Sequence, residues 1–177
     1  PLVKDSTDAT KQAVFNAGGI TTGTTRTYDL PDKSGEMALA PGDSYVTVST
    51  GNGMGSTNNK IRRFTTVVGS AGSDIVYADS AANGASFTAS ATGAGIYAIT
   101  YMDKTVAGTG TLGVSLNSNQ LTTAVSSITL PSRLIYAREG AGGLGGVCTV
   151  IARLVAGDVI RPHCNAAFDD TTSEVVF

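Results

Sequence analysis

The chain has 177 residues, 41% hydrophobic but only 15% charged, with a formal net charge of −2. That length suits one ordinary core plus an extension, and a sparse, slightly acidic charge balance gives no clustered Lys/Arg footprint for nucleic acid or an anionic membrane. No run approaches the ~20 apolar residues of a bilayer span, and no basic segment leads into an apolar one as a signal peptide would require. The first residue is Pro1 rather than Met, so we expect a processed product or a fragment of a longer chain.

The first forty residues are β-prone yet polar. Between Phe15 and Leu39, the run Ile20-Thr-Thr-Gly-Thr-Thr-Arg-Thr-Tyr-Asp-Leu-Pro31 favours the pleated backbone through Thr and Tyr but has too little apolar surface to bury itself. Isolated hairpins are marginal in water. Strands of this kind are expected to be completed by other copies of the chain, so residues 1–44 are read as an extended, intertwined β shaft or linker. Ile20, Tyr28, Leu30 and Leu39 are its candidate inward trimer contacts. Pro41-Gly42-Asp43 breaks the segment, and a head over residues 45–177 follows.

Helical periodicity is nearly absent from the head, whereas short Val/Ile/Thr/Tyr-rich runs recur between Gly, Asn and Asp. Strands are expected at Tyr45 to Ser49, Ile61 to Val68, Ile75 to Tyr77, Ser86 to Ala91, Ile96 to Met102 and Leu112 to Leu116. They continue at Val125 to Leu130, Leu134 to Ala137, Val147 to Val155, Val159 to Pro162 and Glu174 to Phe177. Many short strands at this spacing predict a sandwich or barrel. The Gly51 to Asn59 stretch is read as a loop at the base of the head or, equally, a flexible hinge. Within Ile96 to Met102, Tyr97, Ile99 and Tyr101 share one face at period two and should pack into the core.

The residues that invite a chemical reading have stronger structural ones. His163 is the only histidine, so any Ser-His-Asp or multi-His site must include it. Its neighbour Cys164 points to the other face of a strand, which disfavours a nucleophilic pair. Cys148 and Cys164 flank the turn at Ala156-Gly157-Asp158, and whether they can meet depends on hairpin register; two buried, reduced thiols are the simpler expectation. Gly140-Ala-Gly-Gly-Leu-Gly145 matches a dinucleotide pattern by letter, but a strand follows it where a helix is needed. Lys60, Arg62 and Arg63 form the one basic cluster, read as a solvated edge or a seam of salt bridges. Asp74, Asp79, Asp103, Asp169 and Asp170 lack the Asp-x-Asp-x-Asp spacing of a calcium loop. No catalytic, cofactor or metal residues are assigned, and a non-enzymatic role is expected.

Three segments resemble known sequences. Phe87-Thr-Ala-Ser-Ala-Thr-Gly-Ala-Gly95-Ile-Tyr97-Ala-Ile99-Thr-Tyr101 resembles the central signature of the C1q/TNF-like jelly roll, and Val150-Ile-Ala-Arg-Leu154-Val-Ala-Gly157-Asp158-Val-Ile160 resembles that family's penultimate hairpin. Phe15 to Gly35, and Asn52 to Phe64, are similar to segments that precede terminal heads in the fibres of tailed bacteriophages. The resemblance implies an all-β chain: a C1q/TNF-like jelly-roll β-sandwich head behind an intertwined shaft, assembled as a homotrimer. Phe87, Gly95, Tyr97, Ile99, Tyr101, Leu154, Gly157 and Asp158 would form the jelly-roll motif core. It further implies a virion fibre that attaches to a host surface glycan or protein, with two further copies of itself and other virion proteins as partners. A capsid head fibre or decoration protein, or a secreted C1q-like adhesion module, are the alternatives.

Overall fold

The computed structural model describes residues 2–4, 12–14, 21–23, 25, 44–104, 106, 110–138, 145–165 and 171–177. The chain divides into two compact units, Pro1–Leu39 and Ala40–Phe177. In the first, β1 (Leu2–Lys4) pairs antiparallel with β2 (Gln12–Val14), with Leu2 opposite Val14. The four candidate shaft contacts Ile20, Tyr28, Leu30 and Leu39 lie outside the described residues.

The second unit is a sandwich of two five-stranded antiparallel sheets. Its strands are β3 (Tyr45–Met54), β4 (Arg62–Ala71), β5 (Ile75–Ala78), β6 (Ser86–Ala89), β7 (Gly95–Asp103), β8 (Thr111–Leu116), β9 (Arg133–Arg138), β10 (Gly146–Leu154), β11 (Val159–Cys164) and β12 (Glu174–Val176). One sheet runs β10-β7-β12-β3-β4 and the other β5-β6-β11-β8-β9. The chain therefore crosses repeatedly from sheet to sheet, as β-rich sequences with Gly-punctuated turns do when both inner faces must be buried together.

The core is built by alternation. Val46 and Val48 of β3, Ile99 and Tyr101 of β7, Cys148 and Leu154 of β10, and Val175 of β12 turn inward from the first sheet. Phe87, Leu112, Val114, Ile160 and Cys164 meet them from the second. Aromatic rings lock the layers: Phe87 stacks on Phe177 with centroids 4.5 Å apart, Tyr77 lies 5.1 Å from Phe87, and Phe64 meets Tyr101 edge-on at 6.3 Å. Gly84 is required where its turn closes on β4, because it holds φ at +76° and a Cβ there would sit 2.5 Å from the Ile61 side chain.

Three sequence expectations are corrected. Val125 to Leu130 is no strand; Val125–Ser127 forms a single 3-10 turn, η1, because this stretch caps a sheet face instead of pairing at an edge. The Gly51 to Asn59 stretch is only partly a loop, since β3 continues to Met54 through irregular pairing that sets Gly51 opposite Phe64 and Met54 opposite Arg62. Gly53, at φ +67°, supplies the backbone freedom for this irregularity. The penultimate hairpin is absent: β10 pairs with β7, and β11 with β6 and β8, so the Gly157-Asp158 turn joins one sheet to the other.

Candidate interaction surface and the buried polar groups beneath it

The outward face of the five-stranded sheet containing β7 and β10 carries an uncovered apolar stripe. Inward Ile99 and Tyr101 force Ile96, Ala98, Thr100 and Met102 of β7 to point out. The register sets Val147 beside Met102, Thr149 beside Thr100, Ile151 beside Ala98 and Arg153 beside Ile96. Ile96 and Ile151 are 72% and 73% exposed, and Val147 and Met102 are also exposed. The threonines in the middle share a 3.0 Å hydroxyl hydrogen bond, Thr100 Oγ1 to Thr149 Oγ1. A cleft of about 470 Å³ lined by Met102, Lys104, Gly146, Val147 and Thr172 opens at one end. Aliphatic side chains standing this far into water on neighbouring strands mark a contact surface better than a monomer's exterior.

Directly beneath that end lies a buried polar network. Arg62 Nε donates to Asp103 Oδ2 at 2.8 Å, Arg62 Nη1 to the Gly53 carbonyl at 3.1 Å, and Arg62 Nη2 to Ser173 Oγ at 2.6 Å. Tyr101 and Ser173 hydroxyls donate to the two oxygens of the same carboxylate at 2.8 and 2.6 Å, and the Lys104 backbone N–H adds a third donor. Burial pulls the guanidinium of Arg62 down, but the Asp103 carboxylate outweighs it and leaves Arg62 above its ordinary range. Burial raises Asp103, with Arg62, Ser173 and Tyr101 holding part of that rise back. The network ties β3, β4, β7 and the start of β12 together with every carboxylate oxygen satisfied.

The basic cluster is thus not a solvated edge. Arg62 is 1% exposed; Arg63 forks onto Asp79 with its Nη2 2.8 Å from Oδ2 at the surface. The sequence signal for the first pair was phase: Arg62 alternates with core Phe64, and Asp103 with core Ile99 and Tyr101, so both charges point inward.

Of the motif residues, Phe87, Ile99, Tyr101 and Leu154 are fully buried. Tyr97 is half-buried and donates its hydroxyl to the Gly93 carbonyl at 3.1 Å. Gly95 opens β7. Gly157 takes φ +88° in an open turn, and Asp158 closes that turn by accepting from the Val155 N–H at 2.8 Å and from Asn117 Nδ2 at 2.6 Å.

Cys148 and Cys164 are free thiols, both buried and on opposite sheets. Burial pushes them up to about 11 and about 12, so neither is a nucleophile at neutral pH. His163 faces away from Cys164 and lies 2.7 Å from Ser115 Oγ through Nε2, with no carboxylate partner among the described residues. Asp74 accepts from Thr92 Oγ1; Asp169, Asp170 and Gly140 to Leu144 lie outside the described residues. Among the described residues no group of three or more His, Cys, Asp or Glu could hold a metal ion, and no helix is long and apolar enough to cross a membrane.

No protein-family profile and no curated protein matches this chain. Solved structures do. Murine APRIL at pH 8.5 superposes with a TM-score of 0.54 at 14% identity, covering 76% of this chain and 96% of that one. Murine APRIL at pH 5.0 and pH 8.0 give TM-scores of 0.52 and 0.51 at 14% and 16% identity, each covering 75% of this chain and 97% of that one. The fold is a TNF-like jelly roll. At such identities the likeness carries architecture alone, and the outward stripe is described on this chain's own residues.

Proposed function

We propose that the chain is the C-terminal part of a homotrimeric fibre of a tailed bacteriophage, a virion protein whose TNF-like head attaches the particle to a host surface. The observation that supports it best is the stripe of Ile96, Met102, Val147 and Ile151, exposed on a sheet whose other face carries the core. Copies set around a threefold axis would cover that stripe, and a shared axis would raise the effective concentration of each head once one is bound. The polar, β-prone run from Ile20 to Pro31 and its likeness to phage fibre segments support a shaft in the same assembly. The role is projection and adhesion, without catalysis: the sole histidine is buried against a serine, and both thiols are buried.

Sedimentation at micromolar concentration tests the assembly, with about three times the 17.9 kDa chain mass expected and a monomer mass overturning it. Labelled protein should bind host cells and compete with the phage; absence of both sinks the adhesion reading. New reducing ends from host polysaccharide would show an enzyme instead.

A further inference from the structure

The segment 117–132 lies over the outward face of the second sheet. Strand β8 is buried on both of its faces: Leu112 and Val114 enter the core, while Thr111 and Ser115, one residue out of phase, are covered as well. Part of that cover is η1, which packs on β8 and β9. Val125 and Ile128 are 0% and 2% exposed yet stand apart from the main core cluster. The segment meets many of its polar needs internally: Thr129 N–H donates to Gln120 Oε1 at 2.8 Å, Ser127 N–H to the Ala124 carbonyl, and Gln120 N–H to Ser118 Oγ. Its ties to the sheet lie mainly at its ends: Asn117 donates its N–H to the Val159 carbonyl and accepts the Val159 N–H on Oδ1, Leu116 N–H donates to the Ser132 carbonyl, and Arg133 Nη1 donates to the Ser126 carbonyl at 2.5 Å. A cover held to the sheet mainly at its ends, and buried through Val125 and Ile128 between them, can lift in its middle without dismantling the sandwich.

Under it sits His163, fully buried on β11. Nε2 shares a hydrogen bond with the Ser115 hydroxyl at 2.7 Å, and Nδ1 reaches no full hydrogen bond, with the Thr123 backbone of the covering segment as a weak polar neighbour. We propose that segment 117–132 is an acid-released strap, shut while His163 is neutral and opened when its imidazole gains a second proton. The Ser115 hydroxyl can serve either protonation state of Nε2 by reversing between donor and acceptor, so what opposes the second proton is the loss of water under the strap. Among the described residues no acidic side chain is bonded to the ring. Segment 117–132 and β8 contain no charged residue; Arg161 on the same strand, Arg133 on β9 and Lys60 beside the Ile61–His163 bridge are cationic. Asp158, at the foot of the strap, is taken by Val155 and Asn117. Burial brings His163 down to about 4, opposed by the Thr123 backbone and aided by Arg161. Once hydrated in the open form, the ring returns to about 6.5, so the open population should grow about 30-fold between pH 7.5 and pH 5.

Hydrogen exchange on the full chain reads the strap directly. After correction for intrinsic exchange rates, protection in 117–132 should fall about 30-fold from pH 7.5 to pH 5 while β7 and β10 stay the better protected. His163→Gln should remove that pH dependence, and Ser115→Ala, which leaves the imidazole in place, should keep it. Because His163 is the only histidine, its ring NMR signals need no assignment, and their shift should track the strap's exchange. Unchanged strap protection, a pH response that survives His163→Gln, or loss of protection in strap and core strands to a common level would each overturn the proposal.

Discussion

Arg62 and Asp103 form an ion pair across 2.8 Å with side chains 1% and 0% exposed, forty-one residues apart in sequence. Two unlike charges enter the core at the same end of the sheet, and a tyrosine, a serine and two backbone groups complete them. Such a pair adds little over a well-packed apolar substitute, but losing one member strands the other in low dielectric.

Asp103→Ala should therefore destabilise the head by about 3–5 kcal/mol, seen as a lower denaturant midpoint. Replacing both, as Arg62→Met with Asp103→Leu, should recover most of that loss. A double variant as weak as Asp103→Ala would show that the hydrogen bonds to Gly53 and Ser173 matter more than the charge pairing.

The thiols of Cys148 and Cys164 should resist an aromatic disulfide reagent at pH 8 in the folded protein, because both are buried and titrate near 11 and 12. In guanidinium two thiols per chain should react at once. Rapid native labelling of either would mean that the sheets part far more readily than the packing implies.

Global stability should decline on acidification through His163. The folded-state value of about 4 lies below the ordinary 6.5, so the unfolded chain takes the proton first. The contribution is whole above about pH 6.5 and is lost as pH falls towards 4, roughly 3 kcal/mol in all. Thermal melts of His163→Gln should show a flatter profile across that window than the parent chain, and equal slopes would refute the assignment.

Ile151→Lys should disrupt self-association if the β7–β10 stripe is where copies meet, since an ammonium would be buried against Ile96 and Ala98 or their counterparts. The side chain is 73% exposed in the single chain, so monomer folding should change by less than about 0.5 kcal/mol. Sedimentation and far-UV circular dichroism together separate the two effects; an intact oligomer places the contact elsewhere.

At Phe87 a ring-to-alanine change should remove about 3–5 kcal/mol, because its ring is stacked on Phe177 and tilted against Tyr77. Urea titration checks this, and a loss under about 1 kcal/mol would mean that the two neighbouring rings close the gap.

Local chemistry was legible in the residues themselves. Alternation of Tyr97, Ile99 and Tyr101 announced a strand with one packed face, and ten of the eleven expected strand segments coincide with β3 to β12. Val125 to Leu130 misled because β-branched residues fit a cap over a sheet as well as a place within one; burial of Val125 and Ile128 outside the core cluster shows which they chose. Cys148 and Cys164 looked like hairpin neighbours because sequence distance says nothing about which sheet a strand joins.

By itself, the sequence determined an all-β head, its strand positions and the inward phase of its core residues, since these follow from side-chain period and backbone preference. Tertiary structure alone decided that Arg62 meets Asp103, that His163 lies under 117–132, and that Ile96, Met102, Val147 and Ile151 gather on one uncovered face. Each of those outcomes depends on long-range strand pairing, which period and propensity leave open.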